Sequence, residues 1–424
     1  MDRLFSPLTL PNGSVIPNRV CKAAMEESLA GPGRLPDDRI LRLYGRWAAG
    51  GAGLLITGNV MVDKRALTAP GAIVLDADAP LEPFERWAAT ARSGGGRVWM
   101  QINHPGRQVG SEMPGVSWAP SEVAVSIGRH SRRFARPRAM TEADIAATVE
   151  RFAVTAQRAE AAGFDGVQIH AAHGYLISQF LSPLVNRRED RWGGPLAHRA
   201  RLLVDVVEAV RRRVSPSFAV AVKINSSDFQ RGGFDAGDAL AVLRLLSAFD
   251  IDLVELSGGN VESPVTAVPD AAGDERALAR EAWFLSIARE LLAAQLPVPL
   301  MLTGGIARRS VAENVLAEGI GMVGMATALA LVPDLPQRWA QGEAPSTRVE
   351  AVTWRDTSLR AAGHIAVVRR HLRRTARGRA HRPGISPLLT FLGDEVRRRQ
   401  AVSRYRSELT KQARSTALAG AGSP

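Results

Sequence analysis

Two imidazoles and a phenol stand close together in the chain: His170, His173 and Tyr175. They follow a short apolar stretch, Val167 to Ile169, in the run Gly-Val-Gln-Ile-His-Ala-Ala-His-Gly-Tyr. Side chains just past the C-terminal end of a parallel barrel strand face the catalytic mouth. Two imidazoles there can donate hydrogen bonds to one oxygen, and a phenol beside them can deliver a proton. A bare His-x-x-His also suits two metal ligands, or two histidines satisfied within the structure. The metal reading lacks a nearby third ligand. Glu189 and Asp190 lie beyond a helical segment, and the one cysteine, Cys21, is remote in sequence. No metal site is expected.

Further chemistry sits at the ends of other apolar segments. Gln101 is followed by Ile-Asn-His-Pro-Gly-Arg-Gln, and its amide offers a donor and an acceptor together. A surface-loop glutamine is the plainer alternative. Lys223, in Ala-Val-Lys-Ile-Asn, would set a cation at the mouth, unless it merely snorkels from a strand end. Thr303-Gly304-Gly305-Ile306 could turn backbone N–H groups toward a phosphate, or serve as an ordinary turn.

Eight short, apolar, non-alternating stretches would have to hold these residues. They cover about 19–25, 53–58, 97–102, 167–169, 219–224, 253–257, 300–303 and 321–325. Helical patterns alternate with them over about 37–49, 80–93, 141–162, 198–213, 236–248, 279–294 and 309–317, and a last helix follows Pro333. Thr141 with Asp144 resembles a capping box. Pro11-Asn12-Gly13 reads as a hairpin turn closing a barrel floor. The expected fold is an α/β (β/α)8 TIM barrel. A doubly wound sheet would need a Gly-rich turn after the first strand, where Cys21 to Met25 stands instead.

The chain of 424 residues carries a net charge of +12. Residues 351–424 hold 16 Lys and Arg against 4 Asp and Glu, which leaves 38 of each sign in residues 1–350. The high pI therefore describes a tail. The division expected is a barrel over 1–345 and a basic, helical C-terminal extension over 346–424. Ile365, Val368, Leu372 and Ala376 mark one helical face of that extension, and Leu388, Leu392 and Val396 begin a second helix after the break at 378–387. Such a tail could meet nucleic acid or an anionic membrane. Packing on the barrel or on a partner subunit is preferred, because apolar stripes need a home and interleaved aromatics are sparse. One cysteine excludes an intrachain disulfide. The first residues show no secretory pattern, so a cytoplasmic protein, assembled as a homo-oligomer, is expected.

The run from 166 to 194, ending Asn-Arg-Arg-Glu-Asp-Arg-Trp-Gly-Gly, closely resembles the strand-four signature of the Old Yellow Enzyme family of flavin-dependent ene-reductases. Gln-Ile-Asn-His-Pro-Gly-Arg-Gln at 101–108 resembles its strand-three motif. Ser257-Gly258-Gly259-Asn260 is similar to a subgroup related to 2,4-dienoyl-CoA reductase, whose iron–sulfur centre one cysteine cannot hold. The resemblance implies bound FMN, NADH or NADPH as reductant, and reduction of the C=C bond of an α,β-unsaturated carbonyl. His170 and His173 would then hold the carbonyl oxygen, and Tyr175 would protonate the α-carbon. Ala23, Ala24 and Met25 would back the flavin ring, with Glu26 and Asn59 near its O4 side. Gln101 would meet the pyrimidine edge, and Lys223 the N1 and O2 side. Gly304, Gly305, Ala326 and Thr327 would lie at the phosphate. Thr327 is a departure, because relatives place an arginine there. With the basic tail, it motivates a second expectation: a flavin-poor barrel acting as a binding or regulatory protein.

Overall fold

The computed structural model describes residues 2–263, 287–349, 352–379 and 384–420. Eight parallel strands close on themselves. They are β1 (Val20–Lys22), β2 (Leu54–Ile56), β3 (Arg97–Asn103), β4 (Gly166–Ala171), β5 (Ala219–Asn225), β6 (Leu253–Ser257), β7 (Leu300–Thr303) and β8 (Met322–Met325). Each pairs with its neighbours in sequence, and β8 returns to β1 in the register Val323↔Val20 to Met325↔Lys22. This is the (β/α)8 barrel. β1 is shorter than expected because the ladder ends where Ala23 N–H meets the Met325 carbonyl at 3.0 Å.

Helices flank the barrel: α1 (Asp38–Ala49), α2 (Glu82–Arg92), α3 (Glu142–Ala161), α4 (Leu176–Leu181), α5 (Arg201–Arg213), α6 (Ala236–Leu246) and α7 (Arg309–Ala317). Thr141 and Asp144 close the capping box that starts α3. The helix expected over 198–213 is two pieces, Leu196–Arg199 and α5. Of the helix expected over 279–294, residues up to 286 lie outside the described ones, and 287–293 are helical.

Two larger apolar cores stand out among the described residues, beside a small cluster of Met61, Leu67, Ala72, Val74 and Tyr405. One lies between the strands and the helices and includes Trp47, Trp87, Phe152 and Phe180. The other fills the lower barrel with Cys21, Ile56, Trp99, Ala221, Leu253 and Met301. The hairpin Leu8–Thr9 with Val15–Ile16 seals it from below through Leu8, Leu10 and Ile16. A strand's interior face recurs every second residue. Counting upward from this core by twos gives Gln101 and Asn103, Gln168 and His170, Lys223 and Asn225, Glu255 and Ser257. The barrel interior therefore turns from apolar to polar at one level, below the mouth.

Two further helices, α8 (Thr357–Thr375) and α9 (Pro387–Gly420), form the C-terminal extension. α8 packs on α1 and on the short helix Thr327–Leu331, burying Ala366, Val367, Leu372 and Ala376. Ile365, expected on the buried face, is 40% exposed, and Val367 is buried instead. Leu388, Leu392 and Val396 are each more than half exposed, because α9 turns Thr390, Val402 and Tyr405 inward. Tyr405 fixes that rotation. Its hydroxyl donates to the Lys64 carbonyl at 2.6 Å, and the Arg34 guanidinium stacks on its ring at 4.4 Å.

Candidate active site

The end of β4, which carries His170, and the loop after it place the imidazoles and the phenol together. The His170 and His173 ring centroids are 5.1 Å apart, and His170 and Tyr175 are 4.9 Å apart, both edge-on. The turn needs unusual backbone. His173 has φ 60 and Gly174 has φ 73, a region that a β-carbon penalises by ~1–2 kcal/mol. A side chain at Gly174 would also press on Asn260 and Gln108 at 3.0 Å. The strained conformation of His173 is held from both sides. Its N–H donates to Asn225 Oδ1 at 3.1 Å, and its carbonyl accepts from Gln108 Nε2 at 2.7 Å. Gln179 on α4 ties the β3 and β4 loops together by donating to the Gly174 and Pro105 carbonyls.

Protonation follows from burial. Desolvation, then His173 and Lys223, push His170 well below the ordinary imidazole range. Desolvation and Lys223 do the same to His173. Both rings are thus neutral at physiological pH, and each offers one N–H. His170 Nδ1 accepts from the Ala172 N–H at 3.3 Å, which leaves its proton on Nε2. His173 Nε2 pairs with Ser257 Oγ at 2.7 Å. Burial, then the Glu26 carboxylate, raise the Tyr175 phenol above its ordinary value, while Arg369 and a hydrogen bond with Asn59 oppose them. The phenol therefore keeps its proton at neutral pH.

Beneath this trio runs a buried polar chain. Gln101 Nε2 donates to Gln168 Oε1, Gln168 Nε2 donates to Glu255 Oε2, and Lys223 Nζ meets Glu255 Oε1, each at 2.7 Å. Gln101 keeps its carbonyl oxygen and a second N–H for a ligand. The Lys223 charge is shared with Glu255. Gln168, Glu255 and Asn225 were not singled out in the sequence, and Ser257 stood there only as part of a motif, with no role. Their signal was a polar residue at every second position of an otherwise apolar strand.

The residues around the mouth fit a flavin. Ala23 and Gly324 are small and neighbouring, since a side chain at Gly324 would lie 3.4 Å from the Ala23 β-carbon. Thr303 Oγ1 and both side-chain polar atoms of Asn103 are buried without a hydrogen-bond partner among the described residues. Gly304 and Gly305 have φ 144 and 71, leading to the N-terminus of α7. Ala24 and Met25, just past the end of β1, are partly exposed. Ala326 precedes the helix Thr327–Leu331, and Thr327 brings a hydroxyl where a guanidinium was expected. Cys21 is fully buried in the lower barrel, and burial pushes its thiol well up.

Glu26 has a partner from an unexpected place. It accepts from Thr68 Oγ1 at 2.8 Å and from Arg369 Nη2, on the tail helix α8, at 3.1 Å. The extension therefore reaches the edge of the mouth. The carboxylate expected near the flavin's O4 side is thus held in an ion pair.

Residues 3–345 match the family model described as the NADH:flavin oxidoreductase / NADH oxidase family. The chain belongs to that family. It is 38% identical to the NADH-dependent flavin oxidoreductase iliE of Hypocrea jecorina over 351 residues, spanning 78% of this chain and 87% of the relative. It is 35% identical to iccE of Talaromyces variabilis, of the same description, over 79% and 85% of the two chains. The Old Yellow Enzyme homologue of Zymomonas mobilis superposes with a TM-score of 0.68 at 26% identity, over 82% of this chain and 95% of that one. Morphinone reductase in complex with tetrahydroNAD gives 0.67 at 25%, over 81% and 92%. The Old Yellow Enzyme resemblance in the sequence is thus matched in the fold, and the protein is an FMN-dependent NAD(P)H oxidoreductase. Among the described residues no helix is long and apolar enough to cross a membrane.

Proposed function

We propose that the protein reduces the C=C bond of an α,β-unsaturated carbonyl compound. The observation that carries this reading is the packed trio His170, His173 and Tyr175, with two neutral imidazoles and a protonated phenol. FMN, when bound, supplies hydride transfer between the nicotinamide and the substrate. The protein's residues do the rest. His170 donates through Nε2 to the substrate carbonyl oxygen, and His173 completes the pair. Neutral donors polarise that oxygen as negative charge develops on it. Tyr175 holds the proton that the α-carbon receives, and Asn59 orients the phenol.

Gln101, Lys223 and the small residues Ala23, Ala24 and Met25 would hold the ring, with Glu26 at its edge. Gly304, Gly305, Ala326 and Thr327 would receive the phosphate. Likeness to the iliE and iccE proteins, named as NADH-dependent, favours NADH as reductant. We take residues 1–345 as the cofactor-binding unit of a cytoplasmic enzyme. The exposed Leu388, Leu389, Leu392 and Val396 favour a homo-oligomer.

The test is product identity. Cyclohexenone and NADH should give cyclohexanone, with one deuterium when the transferable hydride of NADH is labelled. NADH oxidation that leaves the enone intact, with oxygen as the only acceptor, would sink the reading.

A further inference from the structure

A cavity of about 330 Å³ opens between the barrel and the two tail helices. That lies at the lower end of small-molecule sites. Eight of its lining residues are arginine. Arg369 and Arg373 lie one turn apart on α8, and Arg377 follows in the turn just past its end. Arg397, Arg398 and Arg404 come from α9, and Arg34 and Arg39 from the loop after β1 and the start of α1. Only two carboxylates, Asp394 and Glu408, share the lining with these eight cations.

Partners outside the lining do not balance them. Arg34 pairs with Glu408, Arg39 with Asp37, and Arg398 with Glu112 and Glu395. Arg369 divides itself between Glu26 and Asp394. Asp394 also serves Arg373 at 2.6 Å and Arg397 at 4.0 Å. Arg377 and Arg404 have no carboxylate partner among the described residues. With every described partner counted, two positive charges remain over. Buried donors are also left unmet: Nε of Arg34, Nε of Arg369 and Nη2 of Arg373 have no hydrogen-bond partner among the described residues. Crowding of like charge is felt at Arg373, lowered from the usual guanidinium value by burial and by Arg397 and Arg369.

The cavity also adjoins the chemistry. Arg369 lines it and, from the same side chain, bonds Glu26; both charges act on the Tyr175 phenol, Glu26 raising and Arg369 lowering it. Ser28, two residues beyond Glu26, forms part of the floor. Guanidinium groups favour phosphate oxygens through paired N–H bonds, and a cluster of them favours more than one phosphate.

We propose that this cavity binds the diphosphate or polyphosphate part of a ligand whose reacting end lies at Tyr175. The placement of the reacting end rests on the ene-reductase reading; the anion site itself does not. The phosphates could belong to the nicotinamide dinucleotide or to the substrate.

Arg377→Gln and Arg404→Gln combined is the variant of choice, because both side chains are exposed and have no carboxylate partner among the described residues, and thermal melting checks that it folds. Calorimetric titration of the flavin-loaded full chain with inorganic pyrophosphate should show submillimolar binding, weakened at least tenfold in this variant. Arg212→Gln, on the far surface, should leave the affinity as it is. No binding at 5 mM pyrophosphate, or equal affinity in both proteins, would overturn the proposal. The source of the phosphates is then read from KM. A rise for NADH relative to the phosphate-free reductant 1-benzyl-1,4-dihydronicotinamide assigns them to the dinucleotide. An unchanged ratio, with pyrophosphate competing against substrate, assigns them to the substrate. None of these readouts requires that an enone be the acceptor, so the two readings fail separately.

Discussion

Tyr175→Phe separates proton delivery from everything else the residue does. Its phenol makes a hydrogen bond with Asn59, and its ring packs edge-on against His170 at 4.9 Å. Phenylalanine keeps the ring contact and loses only the hydroxyl. The structural loss is one hydrogen bond, ~0.5–1.5 kcal/mol. The chemical loss is larger, because a positioned general acid contributes ~10²–10⁴-fold, or roughly 3–5 kcal/mol. Reduction of the flavin by NADH needs no proton from Tyr175. Anaerobic stopped-flow absorbance of the flavin reads both halves in one preparation. Reduction should change less than about threefold, within the hydrogen-bond term, while reoxidation by cyclohexenone should slow by ~10²-fold or more. Equal slowing of both steps, or reoxidation at the unmodified rate, would refute Tyr175 as proton donor.

Other outcomes follow from the same geometry. Ser257→Ala removes the 2.7 Å partner of His173 Nε2 and should lower kcat/KM for the enone by roughly tenfold, with less effect on NADH oxidation by ferricyanide. Thr327→Arg restores a guanidinium at the expected phosphate end and should tighten FMN binding by roughly tenfold or more in fluorescence titration. Stability should fall in acid. Burial depresses His104 and His364 from 6.5 to about 4, so each adds stability that is fully present above pH 6.5 and lost as pH falls toward 4, ~3 kcal/mol apiece. Melting temperatures from pH 7.5 to 4.5 should show this decline, and His364→Gln should flatten part of it.

Much of the barrel was legible because both faces of a parallel strand are buried, so its apolar runs stand out between helical patterns. Residues 253–257 and 300–303 were bounded as they fold. The trio was legible because its members fall within six consecutive residues. The polar chain from Gln101 to Lys223 was not, since its four members come from four strands and only closure of the barrel joins them. Arg369 was invisible for the same reason: it meets Glu26 across 343 positions of sequence. The apolar stripe of α9 misled because helical periodicity gives a face but not what it faces. Tyr405 and the Asp394 ion pairs set the rotation instead.

The most direct test of the enzyme reading is a visible spectrum. The purified protein is loaded with FMN, desalted, and mixed without oxygen first with NADH and then with cyclohexenone. A retained flavin band should bleach with NADH and return with the enone. A protein that keeps no flavin, or whose bleached band stays bleached after the enone, would contradict it.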